Sequence, residues 1–200
     1  MLGKPSQSER LSLEEASSDP AFREIVAWIG KFLCSPHAEL GRAGDVCPFA
    51  KTAVTKNAIE FFRNASVDTD SLEEDMRQHL TEFEQGDRAD IYRCRIIVPT
   101  QLDDAAHAVQ SVQRALKPLF VERHLMVGQF FQDCDEPGLW NPDFRPLRTP
   151  VPLLAIRNMV PTDVAFLYHD ASYLRTYLDK FGSRGSSALR QFEMTREANK

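Results

Sequence analysis

Cysteine is scarce in this 200-residue chain, and Cys34, Cys47, Cys94 and Cys134 form no CxxC pair. A domain of this size folds without covalent staples, so all four read as reduced thiols. Runs of lysine and arginine are missing too. With a formal charge of −5, nothing concentrates positive charge for a phosphate backbone, and nucleic acid is not an expected partner. The first twenty residues lack a basic segment followed by an apolar one, and no stretch of 18 apolar residues occurs anywhere. The expectation is a cytoplasmic protein that does not meet a membrane. No Walker loop, GxGxxG, GxSxG or paired-carboxylate motif is present, which sets aside nucleotide-binding and hydrolase classes. No histidine pair has HxH or HxxxH spacing, so a dedicated zinc site has little support. No internal repeat is visible.

What is present is a pattern for one mixed domain, 42% hydrophobic and 26% charged. Residues 1–17 are rich in Ser and Glu without a lasting period, and read as a flexible arm. Ser18 or Asp19 can cap a helix with Pro20 in its first turn, and Phe22, Ile25, Val26, Ile29, Phe32 and Leu33 recur at helical spacing. The stretch "GRAGDVCPFAK" gives a loop and then a short helix opened by Pro48. "AIEFFRN" reads as a strand. Thr69 or Asp70 starts a second helix with Leu72, Met76, His79, Leu80 and Phe83 on one face. "IYRCRIIV" alternates as a strand should. Thr100 with Asp103 resembles a capping box for a helix that ends around Pro118. "LMVGQFF" and "LLAIRNM" are two further strands, separated by a long proline-rich loop. Residues 137–161 hold half of the chain's twelve prolines, and a loop that long in a compact domain points to function. Asp170 caps a last helix ending at Gly182, followed by a polar tail over 183–200.

The fold class expected is therefore α+β, with about four mostly antiparallel strands and helices packed on the sheet over 18–182, in a ferredoxin-like arrangement.

Chemistry could reside at three places. Cys47, at the start of a helix, would sit where free N–H groups and the dipole favour a thiolate, which binds iron or attacks an electrophile. The other reading of Cys47 is a small buried hydrophobe beside Phe49. His37, in the same loop region, and His124, at the start of the third strand, are candidate heme, metal or acid–base groups. His79 reads as a core residue, and His107 and His169 as solvent-facing. Arg145, Arg148 and Arg157 lie between prolines, where stiffly held guanidinium groups suit carboxylates such as heme propionates or an amino-acid substrate. Ordinary pairing with surplus Asp and Glu is the alternative. Cys34, Cys94 and Cys134 have no partner nearby in sequence.

"HAELGRAGDVCPF", "LMVGQFF" and "FRPLRTPVPLLAIRNMVPTD" resemble an uncharacterised bacterial domain family often encoded near peptide or polyketide assembly lines. Its motifs here are LGRxGxVCPF and RPLRxPVPLLAIRxMVPTD, and the likeness covers roughly residues 20 to 182. More distantly, the order of these segments is similar to the YqcI/YcgG type of bacterial proteins, which includes heme-dependent N-hydroxylases of arginine and other guanidines. Cys47, Pro48 and Phe49 match that group's CPF start, and Met126, Val127 and Gly128 match its "VVG" strand. Where that group has a histidine shortly after the glycine, Gln129, Phe130 and Phe131 stand here.

The resemblance implies a small heme-dependent, oxygenase-like enzyme acting on the nitrogen of an amino acid or guanidine in specialised metabolism. In that reading Cys47, His37 or His124 ligates iron. Phe49, Met126, Phe130 and Phe131 line a dry pocket, and Arg145, Arg148 and Arg157 hold carboxylates. The rival reading is a non-enzymatic accessory domain that holds a small molecule or docks with a biosynthetic carrier or partner enzyme. Cofactor-free thiol chemistry at Cys47 is a third expectation, and a homodimer is left open.

Overall fold

A computed structural model of the chain describes residues 8–87 and 89–198. Five strands form one sheet: β1 (Ser8–Leu11), β2 (Ile59–Asn64), β3 (Cys94–Pro99), β4 (Leu125–Phe130) and β5 (Leu153–Asn158), in the order β1-β2-β3-β5-β4. Three of the neighbouring pairs are antiparallel, and β2 with β3 is parallel. The parallel pair follows from its crossover: α4 (Thr69–Glu84) links the two strands, and a helical link brings the chain back in the same direction. A second helix, α5 (Ala105–Glu122), precedes the β4–β5 pair. From β2 onward the succession is β-α-β-α-β-β, which differs from the expected ferredoxin-like β-α-β-β-α-β.

Alternation along the strands builds a core on each face. Phe62, Ile97, Val127, Leu154 and Ile156 pack against Leu72, Met76 and Phe83 of α4 and Val109, Val112, Leu116 and Phe120 of α5. Phe61, Ile96, Val98 and Leu153 point the other way, against Ala16 of α1 (Leu13–Ser18) and Phe22 and Ile25 of α2 (Pro20–Trp28). Asp19 caps α2 as expected, its carboxylate accepting from Ala21 and Phe22 N–H with Pro20 in the first turn. Helices thus cover both faces.

Four sequence expectations are corrected. Of the arm placed over 1–17, Ser8–Leu11 is an edge strand and Leu13–Ser18 is mostly its following helix; residues 1–7 lie outside the described residues. Its charges match its neighbour across the register: Glu9 meets Arg63 at 2.7 Å and Arg10 meets Glu60 at 3.1 Å. That pairing is invisible to a local reading, because its partner lies some fifty residues away. α5 starts from Asp104, which accepts from His107 N–H, while Thr100 Oγ1 donates to Asn64 O instead of capping. It runs past Pro118 because Phe120 and Val121 beyond it are buried. Finally, the tail is helical: α7 (Ala171–Ala198) breaks at Gly182, where φ is +53°, and resumes to carry Phe192 into a cluster with Met126, Met159, Val164 and Tyr177. α6 (Val164–Leu167) completes that cluster.

Candidate functional site

Directly after α2 the helix widens into a π turn over Ile29–Leu33, a feature that recurs at functional sites. Phe32, four positions after Trp28, lies beside it, the rings 6.0 Å apart and stacked. Phe130, at the end of β4, meets Trp28 edge-on at 5.6 Å. The proline-rich loop closes the other side, bringing Phe144 within 6.1 Å of Phe32 and 4.7 Å of the His37 ring. Leu40, Val46 and Phe144 form a small core beneath this junction. Gly41 is required there: its φ is +76°, and a Cβ would stand 2.9 Å from Trp140 Cβ. Asn141 Nδ2 donates to Glu39 O at 2.8 Å, tying the two loops together.

The result is an open groove of about 370 Å³ lined by Trp28, Phe32, His37, Phe144, Arg145 and Arg148, with Glu39 and Asp143 at its rim. Aromatic walls with a few convergent polar groups suit a small flat ligand, and this volume lies at the low end of the about 300–1,000 Å³ typical of such sites. Arg145 Nη1 donates to the carbonyls of Pro142 and Phe144, while its buried Nε has no hydrogen-bond partner among the described residues. Arg148 donates to Cys134 O and to Asp135 Oδ1 at 3.1 Å. His37 Nδ1 accepts the Glu39 backbone N–H at 3.2 Å. A backbone N–H can only donate, so the neutral ring carries its proton on Nε2.

The remaining candidates lie elsewhere. Cys47 does not start a helix: α3 (Ala50–Thr55) begins three residues later, after a turn in which Ala50 N–H bonds Cys47 O. The Cys47 N–H itself donates to Leu33 O at 2.9 Å, so the expected helix-start position for a thiolate is not formed at Cys47. Cys47 lines neither the groove nor a second hollow, of about 420 Å³, between β1 and β2. Its electrostatic neighbours are Arg157, Cys34 and Cys94. Phe49 packs near Tyr92, rings 6.2 Å apart, and under the Arg157 guanidinium at 6.0 Å. Arg157 is spent on Asp163, so ordinary pairing accounts for it. Met126 pairs with Arg157 across the β4–β5 register and is buried in the α7 cluster. His124 sits at φ +59° before β4, its carbonyl accepting from Lys180 Nζ and Met159 N–H. Phe131 belongs to the core under α5. Cys47, His37 and His124 thus form no common ligand group; among the described residues no cluster of three or more His, Cys, Asp or Glu is set to hold a metal ion.

Sequence reading missed Phe32 as a site residue because helical spacing assigns it to the buried face, and it did not single out Trp28. Both are half-buried, and the π turn at Ile29–Leu33 leaves no local signature. His79 is in the core as expected, but within a polar network. Arg95 Nη1 bonds its Nδ1 at 3.1 Å and Ser8 Oγ lies 2.9 Å from its Nε2, with Asp75 accepting from Ser8 and Asn64. A guanidinium N–H can only donate, so His79 Nδ1 accepts from Arg95 and the ring proton faces Ser8 from Nε2.

One family model, described as "Domain of unknown function (DUF6875)", matches residues 22–192. Its end coincides with buried Phe192, beyond the Gly182 break. Neither the curated proteins nor the solved structures contain a match to the chain. Among the described residues no helix is long and apolar enough to cross a membrane.

Proposed function

The chain belongs to the DUF6875 family, and from that premise we propose that it binds a flat, amino-acid-like small molecule in the groove between the π turn and the proline-rich loop. The observation that carries this reading is the convergence of Trp28, Phe32, His37, Phe144, Arg145 and Arg148 on one groove. Rings stack a planar group, the guanidinium groups of Arg145 and Arg148 and the His37 Nε2–H take a carboxylate, and Glu39 and Asp143 take an ammonium or guanidinium. Such a domain serves a biosynthetic pathway as a binding or accessory component.

The second reading is the heme-dependent N-oxygenase, which the same arginines and aromatic walls favour. Heme would supply oxygen activation. Ligation through His37 Nε2 needs the ring proton on Nδ1, whereas Nδ1 here accepts a backbone N–H. Cys47 does not line the groove. The residues present do not fit heme as held, and the binding reading is preferred.

Calorimetric titration with L-tyrosine, L-arginine and tyramine, beside a hemin titration followed by absorbance, separates the two. Binding of an amino acid, lost in its decarboxylated analogue and weakened about tenfold or more by Arg148→Ala, is expected, since a hydrogen bond to a charged group contributes about 1.5–3 kcal/mol. Stoichiometric hemin uptake with a Soret band that His37→Ala removes would establish the heme reading instead. No heat and no Soret band would sink both.

A further inference from the structure

Cys34 and Cys47 are thirteen positions apart in sequence and lie on backbone segments that are hydrogen-bonded to each other. Val46 N–H donates to Ser35 O at 3.0 Å and Cys47 N–H to Leu33 O at 2.9 Å, while Pro36 and Asp45 form an antiparallel bridge. These contacts lay the backbone of residues 33–36 alongside that of 45–47 and bring the segments that carry Cys34 and Cys47 together. Segments held side by side in this way can bring two cysteines within the about 4.4–6.8 Å between Cα atoms that a disulfide spans. The thiols also sense each other: charge on Cys47 contributes to raising Cys34, after the larger effect of burial. Both are free and half-buried.

We propose that Cys34 and Cys47 are a peroxide-responsive dithiol couple, with Cys47 as the attacking thiol and Cys34 as the resolving one. The asymmetry comes from surroundings. Cys47 belongs to none of the four hydrophobic clusters among the described residues. Cys34 packs against the core under α2, where burial holds it as a thiol. Cys94, the third neighbour, is pushed up to about 12 by burial and does not compete. The oxidant is a hydroperoxide. The Cys47 thiolate attacks one peroxide oxygen, the O–O bond breaks, and an alcohol or water departs, leaving a sulfenic acid. Cys34 sulfur then attacks Cys47 sulfur, the S–O bond breaks, and the Cys34 proton leaves with the hydroxyl as water. Two thiols are oxidised by two electrons in all, and one peroxide bond is reduced.

The disulfide would close the loop that carries His37 and Gly41, fixing it to the end of the π turn. The proposal does not depend on any ligand in the groove.

Peptide mapping of the full chain under non-reducing conditions, after hydrogen peroxide and alkylation of remaining thiols, tests it. Expected is a linked peptide pair joining Cys34 to Cys47, reversed by dithiothreitol, and accumulation of over-oxidised Cys47 in Cys34→Ser. The linked pair should form equally in Cys94→Ser. Recovery of Cys34 and Cys47 in alkylated form after peroxide, or a bridge between Cys47 and Cys94 in the unaltered chain, would overturn it.

Discussion

Arg157 lays both terminal nitrogens on the Asp163 carboxylate, Nη1 to Oδ2 at 2.7 Å and Nη2 to Oδ1 at 2.5 Å, while Val160 N–H donates to the same Oδ2 at 2.8 Å. Asp163 is 1% exposed. This fork ties the end of β5 to the turn leading into α6, and it consumes a guanidinium that sequence alone offers to a ligand. The guanidinium is held charged by the nearby Asp163, which outweighs its burial.

Asp163→Ala should therefore destabilise the chain by about 3–5 kcal/mol, the cost of leaving one partner of a buried ion pair alone. Arg157→Lys should recover only part of the stability, because an ammonium cannot fork. Urea denaturation followed by circular dichroism measures both, and an Asp163→Ala effect under 1 kcal/mol would refute the structural role.

Phe192 is 7% exposed and packs between Trp140 and Tyr168, at 5.8 and 4.8 Å. Phe192→Ala should cost about 3–5 kcal/mol. The Trp140 emission should shift to the red as its neighbour is lost. A frayed tail would show neither change.

The Asp19 carboxylate is held below the ordinary range: burial works against this, but hydrogen bonds from Phe22 and Ala21 N–H and the Arg63 guanidinium prevail. A folded-state value depressed below the unfolded one means that the unfolded chain binds the proton first as pH falls. The stabilisation is thus complete above the usual Asp value of about 3.9 and disappears as pH drops through the lower folded value. Asp19→Ala should cost about 1 kcal/mol near neutrality through loss of the cap. Its deficit relative to the unaltered chain should shrink below pH 4. A deficit independent of pH between 7 and 3 would contradict the assignment.

Gly41→Val should disrupt the junction between the two groove loops, since its φ of +76° disfavours a side chain and Trp140 occupies the space a Cβ needs. Expected is a loss of about 1–3 kcal/mol from backbone strain, with weaker binding of any ligand that Arg148→Ala also weakens. Faster hydrogen exchange confined to residues 37–46 and 138–146 would locate the effect; unchanged exchange there would exclude it.

Local chemistry made much of this protein legible in its sequence. Asp19 and Pro20 announce α2 because a carboxylate and a residue without an N–H both suit a helix start. The apolar period of Leu72, Met76, Leu80 and Phe83 announces α4, and the alternation of Ile59–Asn64, Cys94–Pro99 and Leu153–Asn158 announces strands. These signals need only neighbours within a turn or two. Tertiary structure alone decided the rest. Ser8–Leu11 becomes a strand because β2 offers it an edge and complementary charges, and Phe192 is buried because the chain resumes its helix past Gly182. Arg145 and Arg148 reach the groove with His37 while Arg157 is taken by Asp163, although all three stand in one short stretch: alternation on β5 and the turn after it send them to different surroundings. The segment of Cys34, which no sequence spacing links to that of Cys47, is brought alongside it because two backbone hydrogen bonds fold the intervening loop back on itself.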